Sequence, residues 1–178
     1  KIGPNIFKII MIKLEIENRV TAYRANKKNL NFLLKKKINI LEHTAKGIIQ
    51  LTFVHDAEIR QLNREYRGFN KSTDVLSFGY PVGTGRDLSL QFPDKNIIGE
   101  IIISIETAER QAKKHKKTPE QEIQFLFVHG LLHVFGFDHK LSRERKIMFG
   151  LQDKIVGTIP VGNKNFCSLQ SRRRDINL

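Results

Sequence analysis

The sequence has little of what marks secreted and membrane proteins. Its 178 residues include one cysteine, Cys167, which cannot form an intramolecular disulfide, so a disulfide-stapled scaffold is excluded. It also lacks an apolar run of about 20 residues, the length that a membrane-spanning helix needs. The apolar stretch at residues 6–14 is short, carries Lys8 and Lys13, and is predicted to be an edge or core strand. With no recognisable signal peptide, these features predict a soluble cytoplasmic protein with no membrane partner.

Acidic side chains are scarce compared with basic ones. Eighteen aspartates and glutamates stand against 31 lysines and arginines, a formal net charge of +13. Such an excess attracts polyanions and makes their binding sensitive to salt, so nucleic acid is the leading partner class. A basic protein without a specific polyanion is the alternative. An anionic membrane surface is disfavoured because the basic residues are dispersed rather than gathered on one amphipathic helix.

No internal repeat or long linker divides the chain. We predict one metal-dependent, hydrolase-like domain over residues 1–160 and a basic, loosely ordered tail over residues 161–178. Apolar periodicity, β-branched runs and turn residues predict an α+β fold, a small mixed sheet packed with several helices around a buried central helix. The predicted helices span residues 25–42, 56–66 (with Asp56 as N-cap), 105–116, 119–135 and 141–156, and the predicted strands span residues 6–14, 47–54, 73–78 and 97–104, with a loop over residues 79–94.

The helix predicted at residues 119–135 has a well-defined beginning and end. Thr118 is its expected N-cap, Pro119 suits the first helical position, and Gln121 completes a capping box. Gly136 can stop the helix by adopting the left-handed conformation. Apolar residues surround this helix on all sides, which predicts a central, buried position.

Three histidines follow the spacing of a metal site. His129 and His133 are four residues apart and therefore lie on one face of the predicted helix. The turn at Gly136 can bring His139 to the same point. Three imidazoles with a fourth position open to water are typical of catalytic zinc, although nickel, cobalt or copper would also fit. The remaining histidines, His43, His55 and His115, are predicted to be hydrogen-bonded core residues.

The spacing is similar to that of the metzincin peptidases, with one departure. Those enzymes carry a water-activating glutamate directly after the first histidine, and this sequence has Gly130 there. A metallopeptidase is therefore disfavoured. We expect the glycine to leave room beside the metal for a large substrate.

Three ordered blocks of the sequence resemble the YbeY family of bacterial rRNA maturation factors. The first is residues 129–139, His-Gly-Leu-Leu-His-Val-Phe-Gly-Phe-Asp-His, and it is the most specific. The second comprises residues 62–67 and 71–78, and the third comprises residues 98–104 and 108–112. Asn70, Ser72 and Val134 depart from the family's usual Asp, Pro and Leu.

The resemblance implies a cytoplasmic, metal-dependent, single-strand-specific endoribonuclease. Such a protein acts in 3′-end maturation of small-subunit (16S) rRNA and in ribosome quality control. The implied partners are pre-rRNA and the small ribosomal subunit, with ribosomal proteins or an assembly GTPase as further candidates. The alternative is a non-catalytic ribosome-assembly factor whose metal is structural.

The resemblance also assigns a role to Arg67. This residue matches the arginine of the family's Tyr-Arg motif, so Arg67 is predicted to be catalytic. His129, from the histidine motif, is the second predicted catalytic residue. A guanidinium can bind phosphate through two parallel hydrogen bonds, which would stabilise developing negative charge. The alternative role for Arg67 is to stabilise the C-terminus of the preceding helix.

Four further residues near these motifs are candidates. Lys71, Ser72 and Thr73 are predicted substrate contacts, although turn formation explains them equally well. Asp138 is predicted to orient a ligand imidazole, or else is an ordinary turn aspartate. Asp74 and Glu100 are predicted to be structural.

Overall fold

A computed structural model describes residues 11–41, 46–80, 96–137 and 141–157. Within those ranges the chain forms four strands and five helices. In chain order they are β1 (Met11–Asn18), α1 (Lys27–Leu41), β2 (Lys46–Val54), α2 (Asp56–Arg67), β3 (Val75–Gly79), β4 (Ile97–Ser104), α3 (Ile105–Lys114), α4 (Pro119–Val134) and α5 (Ser142–Val156). The tail predicted at residues 161–178 and most of the predicted 79–94 loop lie outside the described residues.

The strands form one mixed sheet in the order β1-β2-β4-β3. β1 and β4 run parallel to β2, whereas β3 runs antiparallel to β4 along one edge. β1 forms the opposite edge. The strand predicted at residues 6–14 overlaps β1 at residues 11–14, but β1 continues to Asn18, and residues 6–10 lie outside the described residues. The predicted α+β class with a small mixed sheet is therefore confirmed.

The main core lies between one face of the sheet and helix α4. Inward-facing residues such as Leu51, Phe53 and Ile101 pack against Phe127 and Leu131, and helices α1 and α5 close the layer. A smaller cluster on the other face packs α2 over β3 and β4 through Ile59, Leu76 and Ile102. Every residue from 122 to 132 of α4 is buried, which confirms the prediction of a central helix.

The predicted capping of α4 is also confirmed. The Thr118 hydroxyl accepts a hydrogen bond from the Gln121 amide at 3.2 Å, and the Gln121 side chain accepts one from the Thr118 amide at 2.9 Å. At the other end, Gly136 adopts φ +83°, the left-handed conformation that stops the helix. The frame that carries His129 and His133 is thus fixed at both ends.

The predicted cap of α2 is wrong. His55 occupies the N-cap position, and Asp56 is the first helical residue. The Asp56 carboxylate instead accepts hydrogen bonds from the hydroxyls of Ser104 and Thr107 and from the Arg110 guanidinium. Burial raises the pKa of Asp56, but these three donors outweigh it and hold the pKa below its usual value. Asp56 therefore joins α2 to α3 rather than capping its own helix.

Close packing of α4 on the sheet depends on glycine. A Cβ at Gly130 would lie 2.9 Å from Cγ2 of Ile101, and one at Gly79 would lie 2.6 Å from the Val134 carbonyl oxygen. Gly99 pairs with Gly79, and a Cβ at Gly99 would lie 2.3 Å from Cγ1 of Val134. The expectation that Gly130 leaves room for substrate is wrong. Gly130 faces the sheet, and the Ile101 side chain occupies the space beside it.

None of the helices in the described ranges has the length and apolar composition needed to cross a bilayer.

Candidate metal centre on the central helix

His129 and His133 meet at one point on α4. Their Nε2 atoms are 3.1 Å apart, and the two rings are set at 76° to each other. His129 is buried with 4% of its surface exposed, whereas His133 is partly exposed. The four-residue spacing therefore brings the two imidazoles together as predicted.

The separation of these nitrogens suits a shared divalent ion. Two imidazole nitrogens bound at ~2.05 Å to one tetrahedral zinc ion are separated by ~3.3 Å. The observed 3.1 Å is close to that value without any change of rotamer. The donor set of neutral imidazoles is one that zinc and other late transition metals accept. The two histidines thus fit the implied metal.

Gln152 on α5 orients the buried imidazole from behind. Its side-chain Nε2 donates a hydrogen bond to the Phe125 carbonyl at 3.2 Å, which points Oε1 towards His129. That oxygen lies 3.3 Å from Nδ1 of His129. Because an amide oxygen only accepts, the contact favours the tautomer with hydrogen on Nδ1 and a lone pair on Nε2. Gln152 is fully buried and is a functional candidate that the sequence analysis missed.

Aromatic rings enclose the His129 side of the pair. The Phe125 ring lies nearly parallel to the imidazole with centroids 6.5 Å apart, and the Phe149 ring is 6.2 Å away at 30°. One side of the candidate centre is therefore apolar, and access to it is from the His133 side. An apolar wall beside metal ligands limits their motion and the entry of solvent.

The predicted third ligand, His139, and its neighbour Asp138 lie outside the described residues. Among the residues that the structure does describe, no group of three histidine, cysteine, aspartate or glutamate side chains is close enough to hold a metal. The described part of the centre is the pair His129 and His133.

Arg67 is the last residue of α2 and is exposed. Its position in the last helical turn suits both roles considered for it, phosphate binding and stabilisation of the helix C-terminus. Gly68 follows in the left-handed conformation, φ +77°, and its amide donates to the Arg64 carbonyl at 3.1 Å.

The predicted contacts Lys71, Ser72 and Thr73 form the turn between α2 and β3. Lys71 is exposed, and Ser72 and Thr73 are partly buried. The Thr73 hydroxyl donates to the Asp74 carboxylate at 3.1 Å, which engages it in the turn. Asp74 also accepts from the Val75 amide and from the Gln111 side chain, so its predicted structural role is confirmed.

The other histidines have separate environments. His55 is bonded to Glu106 at 2.7 Å but its side chain is 52% exposed, so its predicted place in the core is wrong. His115 is partly buried and lies 3.2 Å from the buried Glu122 carboxylate, as a structural histidine should. His43 lies outside the described residues.

The sequence model of the family described as Endoribonuclease YbeY matches residues 13–160. The chain belongs to this family. The family is one of nucleases, in agreement with the predicted enzyme class.

Individual relatives support the assignment. An Endoribonuclease YbeY of Heliobacterium modesticaldum is 44% identical over 111 residues, which cover 61% of this chain and 67% of the relative. One of Listeria monocytogenes is 42% identical over 132 residues, covering 66% and 81%. The solution structure of the protein TM1509 from Thermotoga maritima superposes with a TM-score of 0.52 at 27% identity, covering 82% of this chain and 87% of that one. The sequence matches therefore show membership of the YbeY family, and the structural match supports the fold.

Proposed function

We propose that this YbeY protein is a metal-dependent endoribonuclease that cleaves single-stranded RNA. One divalent ion, for which zinc is favoured, is held by His129, His133 and His139. The observation that carries the proposal is the 3.1 Å separation of the Nε2 atoms of His129 and His133, in a family whose curated members are named endoribonucleases.

The residues of this chain divide the work as follows. Gln152 holds the His129 ring with its Nε2 lone pair directed towards His133. Asp138 is a further candidate to orient a ligand imidazole. When bound, the ion supplies a Lewis acid for a phosphoryl oxygen and a water of lowered pKa as nucleophile. Arg67 binds the phosphate and stabilises its developing charge, and Lys71, Ser72 and Thr73 add substrate contacts.

The proposed substrate is pre-rRNA in the cytoplasm, with cleavage in the 3′-end maturation of small-subunit (16S) rRNA. The net charge of +13 supports a polyanionic partner. Ribosomal proteins or an assembly GTPase would guide the protein to the small subunit. The absence of a glutamate at position 130 removes the base that a peptidase of similar histidine spacing would use.

A second candidate function is that of a ribosome-assembly factor with a structural metal. The burial of His129, with only 4% of its surface exposed, favours this alternative because structural ions are more enclosed than catalytic ones. In that case the protein binds pre-rRNA and other nucleases cleave it.

The two functions are separated by a cleavage assay on identically purified proteins. Wild type, His133→Ala and His139→Ala are each incubated with single-stranded RNA, with and without a chelator, and their metal content is measured. His55→Ala is the matched control, because the His55 side chain is exposed and its hydrogen bond in the described residues is to Glu106, away from the candidate metal centre. We expect close to one metal per chain in wild type and His55→Ala, and a loss of metal in the other two.

Cleavage by the metal-loaded wild type alone, restored by zinc after chelation, supports the endoribonuclease. Equal cleavage by His133→Ala identifies a contaminating nuclease and refutes the proposal. RNA binding without cleavage by any of the proteins favours the assembly factor. Wild type that remains metal-free after zinc reconstitution and desalting excludes the metal centre itself.

A further inference from the structure

Two exposed aromatic side chains lie three positions apart at the end of α2 and in the turn that follows it. Tyr66 is 60% exposed and Phe69 is 49% exposed, and they are two of the five large apolar side chains that are exposed among the described residues. Single exposed apolar side chains are common on protein surfaces, so the function of these two rings is inferred from their neighbours. We refer to Tyr66 and Phe69 together as the aromatic platform.

The turn that carries Phe69 is held in place by a buried amide. Asn63 is only 3% exposed, and its side chain donates to the Lys71 carbonyl at 2.8 Å. The Asn63 carbonyl accepts from the Phe69 amide at 3.3 Å, and Arg60 donates to the Asn70 side chain at 3.0 Å. These hydrogen bonds hold the backbone around Phe69 in place, so the turn presents the exposed Phe69 ring in a defined position.

Tyr66 is supported by aromatic residues beneath it. Its ring meets the Phe78 ring edge-to-face at 5.1 Å. Tyr80 is close by: burial raises the pKa of Tyr80, and the Glu100 carboxylate and the Tyr66 phenol raise it further. Tyr66 therefore presents one side of its ring to solvent from a packed aromatic base.

Two cations lie next to the aromatic platform. Arg67 directly follows Tyr66 at the end of α2, and the Lys71 ammonium lies 5.7 Å from the centre of the Phe69 ring. Glu65 is the one acidic residue between positions 63 and 71. Aromatic rings among phosphate-binding cations are the combination that binds single-stranded nucleic acid, because bases stack on the rings while cations contact the backbone.

We propose that the aromatic platform stacks bases of single-stranded RNA, with Arg67 and Lys71 contacting the adjacent phosphates. The proposal rests on the proposed function for its ligand and adds the residues that recognise unpaired bases. Stacking requires that a base face be free, so the platform selects unpaired over paired RNA.

The platform is linked to the candidate metal centre through the edge strand. Tyr66 contacts Phe78, the next residue Gly79 lies against the Val134 carbonyl, and Val134 follows His133. This series of contacts crosses the sheet at its edge strand, because α2 and α4 pack on opposite faces of the sheet.

The test replaces each ring by a side chain that is apolar but cannot stack. Tyr66→Leu, Phe69→Leu and the double variant are titrated with a short fluorescent 2′-O-methyl RNA, and a gel confirms that the RNA remains intact. Phe32→Leu is the matched control, since Phe32 is 47% exposed with the Lys36 ammonium 6.0 Å from its ring centre. We expect each leucine variant of the platform to weaken binding about fivefold or more, and Phe32→Leu to bind as wild type does.

A second readout separates stacking from charge. The same titrations are repeated over a range of salt concentrations and with an abasic oligomer of equal length. The leucine variants should keep the wild-type salt dependence and lose the preference for the oligomer with bases, whereas Lys71→Gln should lower the salt dependence. The proposal is overturned if the leucine variants bind as wild type does, or if Phe32→Leu weakens binding as much as they do. A wild type that binds RNA through the platform without cleaving it refutes only the proposed nuclease activity.

Discussion

The side-chain oxygen of Gln152 lies 3.3 Å from Nδ1 of His129, on the side of the imidazole opposite to His133. The amide cannot turn over without losing its hydrogen bond to the Phe125 carbonyl. A ring held in this way offers its Nε2 lone pair before any metal binds, so little reorganisation is needed on binding.

Removing this acceptor should weaken metal binding. We expect Gln152→Leu to lower zinc affinity about 10- to 100-fold, the usual effect of losing a partner of a ligand histidine. Competition with a chromophoric chelator measures the affinity. Nitrogen chemical shifts of His129 in the metal-free protein should show a loss of the Nδ1-protonated tautomer.

Gln152→Glu is the matched variant. A carboxylate keeps an acceptor for Nδ1 but cannot donate to the Phe125 carbonyl, so zinc affinity should be retained while the free energy of unfolding of the metal-free protein falls. Equal zinc affinity in wild type and Gln152→Leu would show that Gln152 only fills space.

The sequence predicts one part of this centre and not the other. His129 and His133 are neighbours on a helix whose ends are marked by Thr118, Pro119 and Gly136, so local rules are sufficient to bring them together. Gln152 reaches His129 only because α5 packs against α4. The residues next to Gln152 in the sequence do not predict that contact. Asp56 shows the same limit. Its local sequence favours the N-cap position, but its carboxylate binds hydroxyl donors at the end of β4 and the start of α3, about 50 positions away.

Adding a methyl group at Gly130 should destabilise the fold. The new Cβ would lie 2.9 Å from Cγ2 of Ile101 in a fully buried layer. Overpacking of this kind costs about 1–3 kcal/mol, partly offset by the better helix propensity of alanine. We expect Gly130→Ala to lower the free energy of unfolding by about 1 kcal/mol, measured by urea denaturation.

Gly150 supplies the control for that substitution. It lies inside α5 with no atom within 4 Å of an added Cβ, so Gly150→Ala should stabilise the protein by up to about 1 kcal/mol. Combining Gly130→Ala with Ile101→Ala should cost less than the sum of the two changes, because the second opens space for the first. Strict additivity would contradict the proposed contact.

The strand order illustrates which part of the fold is hard to predict. The β-branched segments that become β2 and β4 are evident as strands, and their positions agree closely with the structure. That β4 lies between β2 and β3 depends on packing over long sequence distances, including the fit of Val134 against the paired Gly79 and Gly99. No local pattern encodes that fit.

Replacing Arg67 by lysine should reduce cleavage of RNA sharply while leaving the metal bound. Lysine keeps the positive charge and the interaction with the helix C-terminus but loses the two parallel hydrogen bonds to phosphate. We expect a fall of about tenfold or more in kcat/KM, the cost of losing a charge-assisted hydrogen bond of about 1.5–3 kcal/mol. Single-turnover cleavage and metal analysis on the same sample measure both effects.

Arg64→Lys is the control for Arg67, since Arg64 lies in the same last turn of α2. If Arg67 only stabilises the helix, both substitutions will leave cleavage unchanged. Cleavage by Arg67→Lys at the wild-type rate would remove Arg67 from the mechanism.

Acid sensitivity should arise in part from Asp56. Hydrogen bonds from Ser104, Thr107 and Arg110 hold the folded-state pKa of Asp56 below its usual value of 3.8, despite burial. The ionised carboxylate therefore stabilises the fold at pH values above 3.8. That stabilisation is lost as the pH falls through the folded-state pKa. We expect Asp56→Asn to lower the free energy of unfolding by about 1–2 kcal/mol at pH 7, and the difference from wild type to shrink steadily below pH ~4. Thermal melts from pH 3 to pH 7 measure this difference.

Glu17→Gln is the control for Asp56→Asn. A hydrogen bond from Arg19 also lowers the pKa of Glu17, but this ion pair is exposed and should contribute little to stability. A wild-type advantage over Asp56→Asn that stays constant down to pH 3 would mean that the Asp56 charge does not stabilise the junction of α2 and α3.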